Sequence, residues 1–514
     1  MKAASVAVGD RRLTLADVVR VAREGAKVEL APAARSRVEA GRATVDRLAH
    51  SPEPIYGVNT ALGANTGARI PAADINAYQA RAVEARAVGV GAPFPPDVVR
   101  AIMLARIAGM AMGGSGVSPP VLDALVALLD TSVHPVVPRT GSIGCADLPA
   151  LSHLALVLIG KGAAEIGGNV VPGGDALARA GLTPAILGVK DGLALISANA
   201  ATVGHAALVI TDCARALDAL DVAVALSFEG FRANLSPLDP RVHAARPEPG
   251  QVRIGARLRA LLADSALWTP GAARRVQDPL SLRCVTQVHG AALTALSRAR
   301  DVIELELNSA SESPLVLAAD DVMLSNGNFH PAALALDIDA VGLGLAAVAL
   351  LCVQRCQRLY SPAMSGLPLQ LTRRGPEHSG FATLQKTLTT LYGEMRHLAN
   401  PASLDCLPVS EAIEDHASMA PNVVAKTEAM VTKLHYLAAI ELLSAAQAVD
   451  LRETPVDSLG RGARHAYDAV RAHVAVLDED RPLGPDVERI AQVIRDDGIG
   501  TVDLMAVDRL VDAE

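Results

Sequence analysis

Five long segments rich in alanine, leucine and valine constrain the fold of this chain more than any other feature. They cover residues 198–226, 291–308, 331–360, 380–398 and 422–452. Alanine and leucine favour the helix, and a helix of thirty residues is about 45 Å long. Helices of that length need neighbouring helices that cover their apolar faces. The sequence therefore predicts a mainly α fold, an elongated bundle of long helices joined to a smaller, loop-rich N-terminal part.

The N-terminal part is distinguished by its turn-forming residues. Residues 51–71 contain three prolines, three glycines and two asparagines, which is too many for a helix and too long a stretch for a simple connection. Residues 79–112 have a helical pattern that ends at the glycine-rich turn 113–116. We therefore predict an N-terminal part over residues 1–200, which carries a tyrosine loop, and a long-helix bundle over residues 201–514.

Charge and cysteine content exclude several classes of protein. The chain has 47 Lys and Arg against 55 Asp and Glu, a net charge of −8, which argues against a nucleic-acid partner. The apolar residues 331–353 include Asp337 and Asp339, so we interpret them as a buried bundle helix and expect no membrane association. The cysteines are widely spaced except Cys352 and Cys356, and the N-terminus lacks a secretory signal. These features predict a cytoplasmic protein with reduced cysteines and no metal site.

Seven short motifs, taken together in order and spacing, point to an enzyme family. They are Ile55-Tyr-Gly-Val-Asn-Thr60, Gly141-Ser-Ile-Gly144 with Asp147-Leu-Pro-Ala-Leu-Ser-His153, Asp191-Gly-Leu-Ala-Leu195, Val276-Gln-Asp-Pro-Leu-Ser-Leu-Arg-Cys284, Gly327-Asn-Phe-His330, Ser365-Gly-Leu-Pro368 and Glu414-Asp-His-Ala-Ser-Met419. Through them most of the chain resembles the aromatic amino acid lyases, histidine ammonia-lyase above all. The resemblance implies that family's helical fold, a homotetramer whose sites draw on more than one subunit, and elimination of an amino group and a β-proton from an amino acid.

The segment that forms the family's electrophile is altered in this chain. Family members cyclise an Ala-Ser-Gly tripeptide into 4-methylideneimidazol-5-one (MIO), which captures the amino group of the substrate. Here the chain reads Gly144-Cys-Ala-Asp147, so the tripeptide is absent and the loop is one residue shorter. Ser197 and Leu280 replace an asparagine and a tyrosine that lie close to the electrophile in the family. These departures predict an enzyme that uses no cofactor.

Cys145 allows two interpretations. As a structural residue, it is a small buried side chain just before a helix that Asp147 caps. As a replacement for serine, it would take part in a cyclisation of residues 144–146, which the side chain of Ala146 hinders. We favour the structural interpretation. An ammonia-lyase or aminomutase that acts on a histidine-like or aromatic amino acid through a variant electrophile is the alternative.

Other residues of the family motifs are retained. Tyr56 matches the tyrosine that removes the β-proton, and a phenol with an ordinary pKa near 10 needs cationic or hydrogen-bonding neighbours for that role. Arg283 matches the arginine whose planar guanidinium holds both oxygens of the substrate carboxylate. Gln277, Phe329 and Glu414 match further substrate-binding residues. In histidine-specific members the residue at the position of Glu414 faces the imidazole ring.

Several positions carry residues that are unusual for the family. Lys386 and Glu411 stand where apolar and small residues are common, and we assign both to the catalytic group. A salt bridge between them, or exposure to solvent, is the alternative. Arg86 replaces the histidine of the family's Ser-His pair, and we assign it with Ser197 to substrate binding. His289 stands where methionine is common.

The missing electrophile restricts the substrate. MIO is needed because free ammonia leaves poorly, whereas a nitrogen that bears three methyl groups has no lone pair to capture and departs directly as trimethylamine. A β-proton base, a carboxylate ligand and a glutamate that faces an imidazole suit a small-molecule histidine betaine. This combination resembles the ergothionase branch of the family, which lacks MIO and converts ergothioneine to thiourocanate. A non-catalytic homologue that acts as an assembly partner is the remaining alternative.

Overall fold

The structure is a computed structural model that describes residues 5–61, 68–71, 74–496 and 498–499. Within the turn-rich residues 51–71, positions 62–67 lie outside the described residues. Helices make up 58% of the chain, and strands are few and short. The predicted mainly α fold is confirmed.

Long helices occupy the apolar segments that the sequence singles out. Four of them contain 23 to 32 residues: Ala200–Phe231, Val285–Leu307, Ala332–Tyr360 and Ala420–Leu451. The remaining segment forms the shorter helix Leu384–Leu398. Gly380 has a left-handed backbone with φ of 53°, so the helix begins only after it.

The chain divides into two compact units, and each is assembled from three segments. One consists of Met1–Ile210, Ala299–Asp337 and Pro401–Ala425, and the other of Thr211–Arg298, Ile338–Asn400 and Lys426–Glu514. The first unit thus contains the whole predicted N-terminal part and adds two later segments. The division of the chain at residue 200 stays a prediction.

The first unit combines short helices with small sheets. Besides the ends of long helices, it contains the helices Leu15–Ala22, Pro32–Leu48, Ile75–Glu84, Pro96–Ala111, Pro119–Leu129, Leu148–Leu158, Gly173–Arg179 and Asp191–Ile196. Its strands pair as Val6–Val8 with Val28–Leu30 in parallel, and antiparallel as Val90–Pro93 with Pro138–Thr140, Ala163–Ile166 with both His134–Pro135 and Asn169–Pro172, and Leu315–Leu317 with Val322–Leu324. These two-residue to four-residue strands connect helices rather than form a central sheet.

One predicted helix is wrong in its extent. Residues 79–112 contain the end of Ile75–Glu84, the strand Val90–Pro93 and the helix Pro96–Ala111. Gly91 has φ of 85°, and the prolines that follow lack the N–H group that a helix interior requires. The intervening strand is stabilised by pairing with residues distant in sequence, which a local helical pattern does not reveal.

The second unit is built on helices. In addition to long-helix portions and Leu384–Leu398, it contains Pro240–Ala244, Pro249–Leu261, Leu280–Arg283, Pro362–Ser365, Arg461–His473 and Gly484–Arg495. Its core includes the ion pair of Arg355 with Glu441 at 2.6 Å, in which both side chains are fully buried. Cys352 and Cys356 are buried in the same core as free thiols. The prediction of core packing for this cysteine pair is confirmed.

Two stretches of helix are long and apolar enough, by length and composition alone, to cross a membrane. They are Asp191–Phe231 and Ala332–Tyr360, among the described residues. The most apolar part of the first is wholly buried in the protein, and half of that of the second is buried. In the second, Asp339 pairs with Lys426 at 2.5 Å. Burial and a charged partner agree with the interpretation of core helices.

Candidate active site

Tyr56 lies in a turn that a buried asparagine holds in place. The side-chain oxygen of Asn59 accepts the N–H of Ile55 at 2.7 Å. Its amide group donates to the carbonyl of Glu53 at 2.9 Å. Because Asn59 thereby closes the loop on both sides of Tyr56, it fixes the backbone that carries the phenol. Asn59 belongs to the sequence motif, but the motif does not reveal this role.

The Tyr56 ring packs against two helices of the first unit. Together with Tyr78 it contacts Ala82 of the helix Ile75–Glu84 and Leu193 of the helix Asp191–Ile196. These aliphatic contacts leave the ring half-buried. The arrangement orients the phenol by packing, as a positioned proton acceptor requires.

Two predicted substrate-binding residues follow the same pair of helices. Ser197 comes directly after Asp191–Ile196, is 7% exposed and donates its backbone N–H to Leu193 at 2.9 Å. Arg86 lies just beyond Ile75–Glu84, and its Nη1 donates to the carbonyl of Ala82 at 3.0 Å. The structure thus places both residues at the ends of the helices that support Tyr56.

Asp147, at the end of the altered segment, is a buried hydrogen-bond acceptor. Its Oδ1 accepts the hydroxyl protons of Ser142 at 2.7 Å and Thr202 at 2.9 Å, and its Oδ2 accepts the N–H of Thr202 at 2.7 Å. Burial raises the pKa of this carboxyl against the opposing effect of the hydrogen bonds.

The predicted target of the Asp147 cap is wrong. Asp147 precedes the helix Leu148–Leu158, but its side chain forms no capping bond there and instead binds the first turn of Ala200–Phe231 through Thr202. Pro149 removes the N–H of the second position of the nearer helix as a capping donor.

The backbone of residues 144–146 is held on two sides. Gly144 has φ of 75°, and a Cβ at this position would collide with the hydroxyl of Ser418, which donates to the Gly144 carbonyl at 2.9 Å. Ala146 has φ of 55° and donates its N–H to the carbonyl of Phe329 at 3.2 Å. Phe329, predicted as a substrate-binding residue, therefore also contacts the altered segment through its backbone.

Cys145 is a half-buried thiol in this segment. Burial raises its pKa to about 11, and the negative charge of Glu414 and the neighbouring Cys406 act in the same direction. The thiol is therefore protonated at neutral pH and is a weak nucleophile and a poor metal ligand. No group of His, Cys, Asp and Glu suited to a metal ion occurs among the described residues.

These residues do not fit the family's electrophile. To form MIO, the nitrogen of the third residue attacks the carbonyl carbon of the first, and the second residue loses its hydroxyl group. Here the nitrogen of Ala146 donates to Phe329, a methyl group stands where the family has glycine, and Cys145 carries a protonated thiol instead of a hydroxyl. No step of the reaction is assigned to this group.

Glu411 and Glu414 share a strained turn in the first unit. Val409 and Glu414 pair as an isolated antiparallel bridge, with N–H to carbonyl distances of 3.0 and 3.3 Å. Between them, Ser410, Glu411 and Ala412 all have φ between 55° and 61°, a conformation that is costly for residues other than glycine. Ser410 donates its hydroxyl proton to Glu414 Oε1 at 2.8 Å. The turn orients a half-buried Glu414 and leaves Glu411 exposed.

A histidine pair connects two of the motifs. His330 Nε2 lies 2.9 Å from His416 Nδ1, and the rings stack with centroids 5.0 Å apart. Burial, together with His416, lowers the pKa of His330. The pair therefore joins the segment of Phe329 to the segment of Glu414.

In the second unit, Gln277 and Arg283 are brought together. Arg283 Nη1 donates to Gln277 Oε1 at 2.8 Å, and Arg283 ends the helix Leu280–Arg283. Asp278, which directly follows Gln277 in the sequence, is buried and accepts the N–H of Asn234 at 2.6 Å. This hydrogen bond anchors the segment. Since a guanidinium has five N–H donors, Arg283 retains donors for a carboxylate after binding Gln277.

Lys386 lies in the first turn of the helix Leu384–Leu398. Its side chain is exposed, whereas Leu384 and Leu388 of the same helix are buried. The structure therefore places Lys386 in the second unit and Glu411 in the first, each on an exposed position. The predicted catalytic roles of these two residues stay predictions.

Comparison with known proteins gives the family. The model of the aromatic amino acid lyase family matches residues 13–472. A histidine ammonia-lyase of Gloeobacter violaceus is 41% identical over 489 residues, which cover 94% of each protein. The crystal structure of the ergothioneine-degrading enzyme ergothionase from Treponema denticola, in complex with desmethyl-ergothioneine sulfonic acid, superimposes with a TM-score of 0.94 at 30% identity and covers 97% of this chain and 100% of that one.

The same fold occurs in histidine ammonia-lyase from Trypanosoma cruzi, with a TM-score of 0.88, 29% identity and coverage of 96% of this chain and 94% of that one. The motifs, the relatives and the solved structures thus agree. This chain belongs to the aromatic amino acid lyase family, whose members are carbon–nitrogen lyases.

Proposed function

We propose that this protein is an MIO-independent lyase that eliminates trimethylamine from a histidine betaine and converts ergothioneine to thiourocanate. The observation that carries the proposal is the segment Gly144-Cys-Ala-Asp147, which offers no serine and binds the Ala146 N–H to Phe329. Similarity to the Treponema denticola ergothionase, solved with desmethyl-ergothioneine sulfonic acid, supports the same conclusion.

The leaving group explains why such an enzyme needs no electrophile. In a betaine the α-nitrogen is already a quaternary cation, so cleavage of its bond to the α-carbon releases neutral trimethylamine. The electron pair of the β-carbon–hydrogen bond forms the new double bond, and the electron pair of the carbon–nitrogen bond leaves with the amine. An electrophile that captures a nitrogen lone pair has nothing to bind in this substrate.

The retained motif residues supply the rest of the reaction. Tyr56, held by packing and by Asn59, is the base that accepts the β-proton. Arg283, oriented by Gln277, binds the substrate carboxylate through its remaining N–H donors. Glu414, oriented by Ser410, faces the imidazole-type ring.

The remaining site residues are assigned by the charge that each would meet. Lys386 is a cationic donor for the negative charge that develops on the sulfur or ring as the β-proton leaves. Glu411 is a carboxylate suited to the cationic nitrogen of the betaine. Phe329, Arg86 and Ser197 bind substrate, the last two from the ends of the helices that support Tyr56.

One observation favours a second candidate, an ammonia-lyase with a variant electrophile. The relative at 41% identity is a histidine ammonia-lyase, whereas the ergothionase structure is 30% identical. Such an enzyme would have to cyclise residues 144–146, with loss of one water from ring closure and one hydrogen sulfide from Cys145. Intact-mass measurement of the purified protein detects that loss directly.

The decisive experiment is incubation with three substrates: ergothioneine, hercynine and histidine. Conjugated acrylate is followed by ultraviolet absorbance, and trimethylamine and ammonia are measured separately. We expect trimethylamine equal in amount to the acrylate, with ergothioneine the best substrate, from protein of unmodified mass. Ammonia from histidine with the cyclised mass establishes the second candidate, and no product from any substrate indicates a non-catalytic homologue.

The assembly and location are part of the same proposal. Family resemblance implies a homotetramer, and the chain's reduced cysteines suit the cytoplasm. Light scattering coupled to size-exclusion chromatography measures the assembly independently of activity.

A further inference from the structure

A cavity of about 430 Å³ in the second unit, open to solvent, is lined by residues that include Arg232 and Arg452. The charge of Arg274 acts on Arg452 from close by. Among the residues that the structure describes, none of these three arginines forms an ion pair with a carboxylate. Two arginines that have no carboxylate partner in the described part of the chain therefore line this concave surface, with a third close to one of them.

The three guanidinium groups bind only neutral carbonyl oxygens. Arg232 donates from Nε and Nη2 to Ala272 at 3.1 and 2.8 Å, and Arg274 donates from Nη2 to Met364 at 2.7 Å. Arg452 donates to the carbonyls of residues 230, 231 and 365. Carbonyl oxygens orient a guanidinium but do not neutralise its charge.

Electrostatic repulsion within the group is visible at Arg452. Burial first, and then the charges of Arg274 and Arg232, together lower its pKa to about 10. Arg452 still carries its proton at neutral pH. In addition, Nε of Arg274 is buried without a hydrogen-bond partner. A bound anion would reduce the repulsion and offer acceptors for the remaining donors.

The carboxylates in and near the cavity bind groups other than the three arginines. Glu229 is buried and accepts the N–H of Gly460 at 2.9 Å, and burial raises the pKa of its carboxyl. Glu453 pairs with Arg373 at 3.0 Å. Asp278, outside the lining, is buried and accepts a backbone N–H, and the charge of Arg274 lowers the pKa of its carboxyl against the effect of burial. None of these three carboxylates, all of them described by the structure, forms an ion pair with Arg232, Arg274 or Arg452.

The motif Ser365-Gly-Leu-Pro368 shapes this site. A Cβ on Gly366, whose φ is 70°, would lie 2.6 Å from Arg274 Nη1, so only glycine admits the guanidinium there. Two residues that line the cavity, Arg232 and Glu453, have φ of 59° and 56°. Left-handed backbone at residues other than glycine is costly and tends to cluster at functional sites.

We propose that this cavity is a binding site for a phosphate-bearing small molecule. The guanidinium groups of Arg232 and Arg452, which line the cavity without an ion-pair partner among the described residues, suit a multiply charged oxyanion, since their planar forks match phosphate oxygens. The hydroxyls of Thr454 and Ser458, also in the lining, add donors of the kind that bind phosphate. The site lies next to the segment that carries Gln277, because Arg274 donates its N–H to the Arg232 carbonyl at 2.9 Å.

The test uses the full-length protein and inorganic phosphate as the probe. Titration calorimetry at constant ionic strength measures the affinity for phosphate, with pyrophosphate and chloride in separate arms. We expect saturable binding of phosphate, and tighter binding of pyrophosphate if the natural ligand is a phosphorylated metabolite larger than free phosphate. Chloride is expected to produce no saturable heat.

Variants locate the binding. Arg232→Gln removes an exposed guanidinium of the cavity and is expected to weaken phosphate binding at least about tenfold, in line with loss of a charge-assisted contact. Arg241→Gln removes an exposed guanidinium that Asp239 already neutralises in the same unit, and is expected to bind as wild type does. Arg283→Gln is expected to retain phosphate binding, which separates this cavity from the substrate carboxylate site.

Arg452→Lys serves as a second cavity variant, because it keeps the charge and loses the fork. Its circular dichroism spectrum establishes that it is folded, and its phosphate affinity is expected to fall. Absence of saturable binding of either phosphate species to the wild-type protein overturns the proposal. Binding that Arg232→Gln and Arg452→Lys leave intact, or that Arg283→Gln abolishes, overturns it as well.

Discussion

Hydrogen bonds hold both the altered segment 144–147 and the pair formed by Gln277 and Arg283. The two regions differ in whether they retain the residues of the family motifs. The pair keeps the residues of the family motif and their mutual contact at 2.8 Å. The altered segment has lost the residues that form the electrophile, yet its backbone is bonded to Phe329 and Ser418, and Asp147 is fully satisfied inside the protein. The altered segment is therefore ordered by specific hydrogen bonds.

Under the proposed function, this difference corresponds to a change of leaving group within the family fold. The residues proposed to bind the carboxylate and to remove the proton are still held in place. Tyr56 and Arg283 are each positioned by specific partners, Asn59 and Gln277. The proposed change in chemistry is confined to the segment that, in the family, captures the amino nitrogen.

Tyr56→Phe tests the motif residues that the chain retains, and it should have the largest effect on turnover. The variant keeps the ring that packs against Ala82 and Leu193 and removes only the hydroxyl group. Loss of a general base lowers turnover by about 100- to 10,000-fold. The rate of acrylate formation from ergothioneine measures it, and an unchanged melting temperature shows that packing is preserved.

Tyr78→Phe is the matched control, since Tyr78 packs against the same two residues. Its turnover should stay far closer to that of the wild type. Equal losses in the two variants would mean that the hydroxyl groups act on the packing of this cluster, and Tyr56 would then lose its assignment as the base.

Lys386→Met should have the next largest effect on turnover, and the size of that effect should depend on the substrate. Removing a donor that stabilises negative charge in a transition state typically lowers turnover about 100- to 1,000-fold. The loss should be greater for ergothioneine, whose sulfur accepts charge, than for hercynine, which has no sulfur. Lys161→Met, at an exposed lysine paired with Glu84, is the control. Turnover of Lys386→Met equal to that of the control removes Lys386 from the mechanism.

The long helices and the motif residues could be predicted from the sequence, because both depend on local information. Helix formation in residues 331–360 follows from their composition, and the observed helix is Ala332–Tyr360. Tyr56 and Arg283 are recognised by the residues beside them.

Contacts between distant segments could not be predicted in the same way. Asp147 binds the helix of Thr202 instead of the helix beside it, and the strand that interrupts residues 79–112 is stabilised by Pro138–Thr140. His289 is another case: it is fully buried and binds Asp221 at 2.6 Å, a partner 68 positions away. Such pairings depend on which helices pack together, and no local pattern specifies that.

Cys145→Ala is expected to have the smallest effect on stability and turnover. It tests most directly whether the altered segment takes part in the chemistry. The half-buried thiol is protonated and forms no part of the hydrogen bonds that hold Gly144 and Ala146. Its removal should change stability by no more than about 1 kcal/mol and leave turnover of ergothioneine near that of the wild type.

Asp147→Ala, in the same segment, is the comparison variant that is expected to lose stability. It leaves the buried N–H of Thr202 without an acceptor, which costs about 1–3 kcal/mol, and denaturant unfolding measures that cost. If Cys145→Ala abolishes turnover while its unfolding curve stays that of the wild type, then the cysteine takes part in the chemistry. The segment would in that case contain a variant electrophile, and the contrast between an altered segment and a retained carboxylate site would no longer hold. If turnover persists, the electron sink is absent from this protein, and the substrate must carry a nitrogen that leaves without one.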